Sequence, residues 1–233
     1  MIELYYDATP NGRKILLALE EMGLVYTTRW VRLDRGEQFS ETYRALSPSA
    51  KMPALVHHMD GETTTLFESG AILVYLAELS GRLLPADAAA RARTLSWLFW
   101  QTSTFGPAVG QATHFHSYAP AAGHSDSYAA DRFAKISRNL YADLDRHLSD
   151  REFLTNALSI ADLAVFPWVR VARGHGIDLS KFPHVTRWSE GIASRPSAAV
   201  KPIPDDRDVP FKTYSAHADE TWKTLFANET GGW

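Results

Sequence analysis

Two polar side chains stand just ahead of the first helical stretch, on either side of Pro10: Thr9 carries a hydroxyl and Asn11 an amide. Read alone, they are turn and helix-cap chemistry. Glu68 and Ser69 head a second helical stretch. A serine at a helix start offers an N–H, a hydroxyl and the positive end of the helix dipole, which together suit a carboxylate. Glu68 beside it can accept from an ammonium, although the pair alone reads as an ordinary cap. Lys51-Met52-Pro53 joins a cation to an X-Pro bond, and X-Pro is where cis peptides occur. Tyr5 and Tyr6 are strand neighbours, so they point to opposite faces. His114 and His116 are two apart and do not share a helix face, which gives no metal-binding pair. Cysteine is absent. That excludes a disulfide framework, a cysteine-ligated metal and any cysteine nucleophile or CxxC redox pair.

These residues need elements to hold them. Ile2 to Tyr6 is a short apolar and aromatic run and reads as a strand. From Arg13 the period becomes helical, with Ile15, Leu16, Leu19 and Met22 on one face and Gly23 as a C-terminal cap. Val25 to Leu33 reads as a second strand, which makes a βαβ unit with parallel strands and a right-handed crossover. After a polar stretch from Asp34 to Ser47, the runs Ala54–His58 and Thr63–Phe67 flank Met59-Asp60-Gly61-Glu62. Asp-Gly between β-prone runs predicts a hairpin, here with a connection spanning Met59 to Glu62. Ser69 to Leu79 is helical and Gly81 caps it.

Beyond Arg82 the strand signal ends. Ala89 to Phe105 reads as a long helix stopping near Gly106-Pro107, and a second helical stretch runs to Tyr118. Ala129 to Leu148 carries Phe133, Ile136, Leu140 and Leu144 on one stripe. Ser159-Ile160-Ala161-Asp162 opens the most apolar helix, with Ser159 as N-cap and Asp162 in the capping-box position. Pro167 implies a kink in it. Phe182 to Ser194 is a further helix, Pro202 to Pro210 reads as extended, and Ser215 to Asn228 reads as a last helix docked by Trp222, Leu225 and Phe226.

The chain has 233 residues, 24 basic against 27 acidic, and a formal net charge of −3. That length suits one large domain or two small ones with a real core. The charge balance gives no general reason to bind nucleic acid or an anionic membrane. The start lacks the basic and apolar regions of a signal peptide, and no apolar run reaches a membrane span. The expectation is a cytoplasmic protein.

The order predicts an α/β thioredoxin-like N-terminal domain (βαβ–ββα) over residues 1–81. A proline-containing linker (82–88), an all-α helical-bundle domain (89–201) and a C-terminal extension (202–233) follow. This layout resembles the cytosolic glutathione transferases. Three local segments carry the resemblance: Lys51-Met52-Pro53-Ala54-Leu55, Phe67-Glu68-Ser69-Gly70-Ala71-Ile72 and Ser159-Ile160-Ala161-Asp162. Thr9-Pro10-Asn11-Gly12-Arg13-Lys14, with Gly36-Glu37-Gln38-Phe39, is similar to the bacterial Nu-class subgroup, known for glutathione-dependent reduction of disulfides. The chain departs from many relatives at Leu154-Thr155-Asn156-Ala157-Leu158, which lacks a glycine.

The resemblance implies glutathione as cosubstrate, no metal, and a homodimer. It places the γ-glutamyl end at Glu68 and Ser69, the cysteinyl backbone at Met52 and a cis Pro53, and the glycyl end at Lys51 and Gln38. Arg132 would reach the partner subunit's glutathione. The chemical requirement is a thiolate. A thiol of pKa about 8.5 lies ~1.5 units above neutrality, or ~2 kcal/mol. An exposed helix N-terminus supplies ~0.3–1 kcal/mol and one hydrogen bond to an anion ~1.5–3 kcal/mol. Dipole plus one donor therefore suffices, and Thr9 and Asn11 are assigned as those donors, ahead of Tyr6. Without a protein cysteine, disulfide reduction must use the ligand's sulfur, and two glutathione molecules, or their disulfide, are expected to serve as the redox pair. Trp97, Phe99, Trp100, Phe105, His114, Phe115 and His116 are candidates for an aromatic wall facing a small disulfide or electrophile. The expected activity is a glutathione-dependent disulfide-bond oxidoreductase. The alternatives are a conjugating transferase or dehalogenase acting on a hydrophobic electrophile, or a non-catalytic ligand-binding protein.

Overall fold

The computed structural model describes residues 1–200 and 218–226. The chain forms two compact units. One comprises residues 1–73 with the C-terminal helix Ala218–Phe226, the other residues 74–200.

The first unit is built on β1 (Ile2–Tyr6), α1 (Pro10–Met22), β2 (Tyr26–Trp30), α2 (Glu41–Leu46), β3 (Ala54–Met59), β4 (Glu62–Phe67) and the start of α3 (Ser69–Ser80). The sheet order is β2-β1-β3-β4, with β1 and β2 parallel and the remaining pairs antiparallel. This is the mixed sheet of a thioredoxin-like fold. α1 buries Ile15, Leu16, Leu19 and Met22 as its period requires, and Gly23 closes it at φ 69° in the left-handed region. Gly12 is fixed by space: a Cβ there would lie 2.3 Å from the Asp7 carbonyl oxygen.

Two expectations shift here. The hairpin loop is Asp60-Gly61 alone, because Met59 pairs with Glu62. Both loop residues take positive φ, 53° and 82°, as a tight turn matching the strand twist demands. β2 stops at Trp30, and Leu33–Arg35 winds into a 3₁₀ turn instead of extending the strand. The Asp7 carboxylate holds that bend, accepting from Trp30 Nε1 at 3.1 Å and from the Leu33 N–H at 3.3 Å.

In the second unit, α4 (Ala88–Trp100), α5 (Gly106–Thr113) and α6 (Ala119–Ala121) run on through π-helical turns at Gln101–Phe105 and His114–Tyr118. Gly106-Pro107 therefore does not end a helix, contrary to the expectation. Proline removes an N–H and crowds the carbonyl four residues earlier. The wide turn just before it relaxes that crowding, so the helix continues.

α7 (Ser127–His147), α8 (Ile160–Val169) and α9 (Pro183–Ala193) complete the unit. Pro167 lies inside α8. The capping box is present and reaches further than a cap. Asp162, fully buried, accepts from Ser159 N–H, Ser159 Oγ, Leu154 N–H and Trp188 Nε1 at 2.9–3.0 Å. These bonds tie α9 and the glycine-free turn before α8 to one carboxylate. The C-terminal helix, α10 (Ala218–Phe226), packs on the Leu33–Arg35 turn, with Thr224 Cγ2 at 3.2 Å from where a Cβ on Gly36 would stand. The extended run expected from Pro202 to Pro210 lies outside the described residues.

Candidate active site

The strand register brings the polar motifs of the first unit to one end of the sheet. Ala54 pairs with Tyr5 on one side and with Phe67 on the other. Met52-Pro53 therefore enters the sheet beside the exit of β1, and Glu68-Ser69 leaves it at the same level. Tyr6 pairs with Trp30, so the turns leading to Gln38 start there too. Thr9, Asn11, Gln38, Lys51, Met52, Pro53, Glu68 and Ser69 all follow or precede strand ends on this edge. Arg132 belongs to the other unit, where it is exposed on α7.

Thr9 is the N-cap of α1. Its Oγ1 accepts the Gly12 N–H at 3.2 Å, which uses a lone pair and leaves the hydroxyl proton to donate elsewhere. Asn11 is half-buried in the first helical turn, where the dipole is strongest. Tyr6 is different. It is 2 % exposed, its ring packs against Gly12, and burial, with the Asp7 charge, raises its phenol above the ordinary value. Tyr5 turns to the opposite face and donates to Glu3 Oε2 at 3.0 Å.

The Met52-Pro53 bond is cis, as the family resemblance implies. The loop before it is held through the Lys51 carbonyl, which accepts from Tyr43 Oη at 2.9 Å and Ser47 Oγ at 2.8 Å. Both donors are buried. The Lys51 ammonium is lowered by desolvation, against the pull of the Glu68 carboxylate. Glu68 itself sits at φ 68°, a left-handed conformation that a non-glycine residue keeps only when its surroundings hold it there. Gln38 is 2 % exposed, and its Oε1 has no hydrogen-bond partner among the described residues. A buried carbonyl left so costs ~1–3 kcal/mol, and an incoming N–H donor would recover it.

Sequence reasoning missed Lys14, Tyr43 and Ser47. Lys14 is 1 % exposed on the inner face of α1, and its Nζ donates to Ser69 Oγ at 3.2 Å. The signal was present: Lys14 falls on the apolar helical face with Ile15 and Ala18, a position from which a lysine cannot reach water.

The aromatic candidates of the helical unit divide. Phe105 is fully buried, stacked on Trp100 at 5.0 Å and tilted against Tyr141 at 5.3 Å. It is core, because aromatics at helical spacing pack inward. Phe115 stacks on Phe133 at 5.7 Å, and Phe99 is 62 % exposed. Trp97 contacts both Trp100 and His147. Among the described residues no group of three or more His, Asp or Glu side chains could hold a metal, and no helix is long and apolar enough to cross a membrane.

Residues 8–79 match the N-terminal domain of glutathione S-transferase, and residues 109–196 match its C-terminal domain. The disulfide-bond oxidoreductase YfcG of Escherichia coli is 44% identical over 201 residues, covering 84% of this chain and 92% of YfcG. The chain belongs to the glutathione S-transferase family. Solved relatives share the fold. A glutathione transferase from Pseudomonas putida, with one glutathione disulfide bound per subunit, is 41% identical with a TM-score of 0.80, over 84% of this chain and 88% of that one. Another, from Burkholderia graminis with two glutathione molecules per subunit, is 37% identical with a TM-score of 0.78, over 84% of this chain and 85% of that one.

Proposed function

We propose that this chain is a glutathione-dependent disulfide oxidoreductase in which Thr9 and Asn11 hold the glutathione sulfur as a thiolate. The observation that carries the reading is the Thr9 N-cap. The hydroxyl oxygen is occupied by the Gly12 N–H, so its proton is available to an anion at the start of α1. The dipole with the two donors, Thr9 and Asn11, together exceeds the ~2 kcal/mol that thiol ionisation requires at neutral pH. Tyr6, buried and raised, is the poorer donor.

Glutathione binding is supported by the solved relatives, which hold glutathione disulfide or two glutathione molecules. The γ-glutamyl carboxylate takes the Ser69 N–H and hydroxyl, and Glu68 accepts from the ammonium. Met52, whose side chain is buried in the core, pairs through its backbone N–H and carbonyl with the cysteinyl backbone. Lys51 and Gln38 serve the glycyl end, where the orphaned Gln38 Oε1 gains an N–H donor. Arg132 is assigned to a glutathione of the second subunit of a homodimer.

The chain holds no cysteine, so both reducing sulfurs come from ligand. One glutathione thiolate attacks a sulfur of the substrate disulfide, forming a mixed disulfide and expelling one substrate thiolate. A second glutathione thiolate then attacks the glutathione sulfur of that mixed disulfide. The products are glutathione disulfide and the second substrate thiolate, with the electron pair supplied by the two glutathione thiolates. The relationship to YfcG, a named disulfide-bond oxidoreductase, favours this reaction over conjugation. It suits a reducing compartment such as the cytoplasm, where glutathione is mostly thiol.

The test is turnover with 2-hydroxyethyl disulfide beside turnover with a chlorinated aromatic electrophile, both with glutathione. Disulfide reduction with little conjugation is expected. Strong conjugation without disulfide turnover contradicts the reading.

A further inference from the structure

Among the described residues of the first unit, Lys14 is the one buried lysine. Its side chain leaves the buried face of α1 and ends 3.2 Å from Ser69 Oγ, across 55 residues of sequence. Packing alone would put an aliphatic residue at this position, as at Ile15 and Leu17 beside it. Taking an ammonium out of water is strongly unfavourable unless partners repay it. The Glu68 carboxylate is the acidic group whose charge favours ionised Lys14, and burial, the larger effect, pulls the amine down to about 7. The Glu68 charge thus offsets only part of the cost of burying the charged form of this amine.

We propose that Lys14 is a positioning residue for the γ-glutamyl carboxylate of glutathione, acting through Ser69. This rests on the reading that the carboxylate sits at the start of α3. The ammonium donates to Ser69 Oγ, so the serine's own proton is turned away from Lys14 and toward the ligand. The result is a relay from ammonium through hydroxyl to carboxylate, in which each bond polarises the next. An incoming carboxylate, like Glu68, favours the ionised amine, and the ionised form adds a positive charge behind the partial charge of the helix end. A buried charge is weakly screened, so its field at the carboxylate persists in salt. Glu68 takes its left-handed φ of 68° directly before Ser69, at the head of the helix.

Calorimetry tests this with glutathione and with 4-aminobutyryl-cysteinyl-glycine, which lacks only the γ-glutamyl carboxylate. Lys14→Met should weaken glutathione at least tenfold while leaving the analogue's affinity unchanged. Ser69→Ala should behave alike, and the double variant should lose less than the two single losses combined. Lys14→Gln, neutral and of similar length, gives the same comparison if the Met variant does not fold. Equal weakening of both ligands, or no weakening of either, overturns the assignment of Lys14. Failure of the unaltered protein to bind glutathione at millimolar concentration overturns instead the reading of the site on which it rests.

Discussion

Thr9 Oγ1 accepts the Gly12 amide proton at 3.2 Å, and this bond makes one hydroxyl serve two purposes. It caps α1 and it orients a donor. The two purposes separate by substitution. Thr9→Ser should keep both. Thr9→Val should lose ~0.5–2 kcal/mol of stability as the cap is removed. The same change removes one hydrogen bond to an anion, ~1.5–3 kcal/mol, so disulfide turnover should fall about 10- to 100-fold. Denaturant midpoints and steady-state rates on the three proteins check both numbers.

Asn11→Ala should lower turnover more than Tyr6→Phe. Tyr6 is 2 % exposed and its ring supports Gly12, and phenylalanine keeps that packing. The same disulfide assay ranks the two variants, and the reverse order would move the thiolate donor from Asn11 to Tyr6.

Asp162 binds four donors while fully buried. Asp162→Ala leaves Leu154 N–H, Ser159 N–H and Trp188 Nε1 without their acceptor, and each such loss costs ~1–3 kcal/mol. The total should exceed about 3 kcal/mol. Trp188→Phe removes one donor and should cost less, because Asp162 keeps the other three. Urea unfolding of the two variants at neutral pH gives the comparison.

His175 predicts how acid destabilises the helical unit. It is 1 % exposed, with Tyr141 Oη 3.3 Å from Nδ1 and Nε2 buried without a partner among the described residues. Burial, helped by the nearby His116, brings it down from 6.5 to about 4. Between those values the unfolded chain holds a proton that the folded chain does not. Stability is therefore intact above pH 6.5 and falls as the pH drops toward 4, by up to ~3 kcal/mol at ~1.36 kcal/mol per unit. His175→Gln should flatten that slope. Unfolding free energies at pH 7 and pH 5 measure it.

Much of the fold is legible in the residues because periods and punctuation agree. The alternating runs before residue 68, the Asp60-Gly61 turn and the capping box each reflect local rules, and each appears in the structure. What the sequence hides is tertiary. Gly106-Pro107 reads as a stop until the π turn before it is seen. Lys14 reads as a surface lysine unless its helical face is followed inward to Ser69. Gln38 reads as a loop glutamine, and only its burial reveals a carbonyl waiting for a donor. The cis bond before Pro53 is suggested by family likeness, and the two side chains gripping the Lys51 carbonyl come from residues with no motif of their own.

The most direct measurement is the ionisation of bound glutathione, followed by thiolate absorbance in the ultraviolet as the pH is varied. Bound to the unaltered protein, the thiol should titrate below neutrality, and the Thr9→Val and Asn11→Ala variants should return it toward the free value of about 8.5. A bound thiol that titrates like free glutathione in all three proteins would contradict the account.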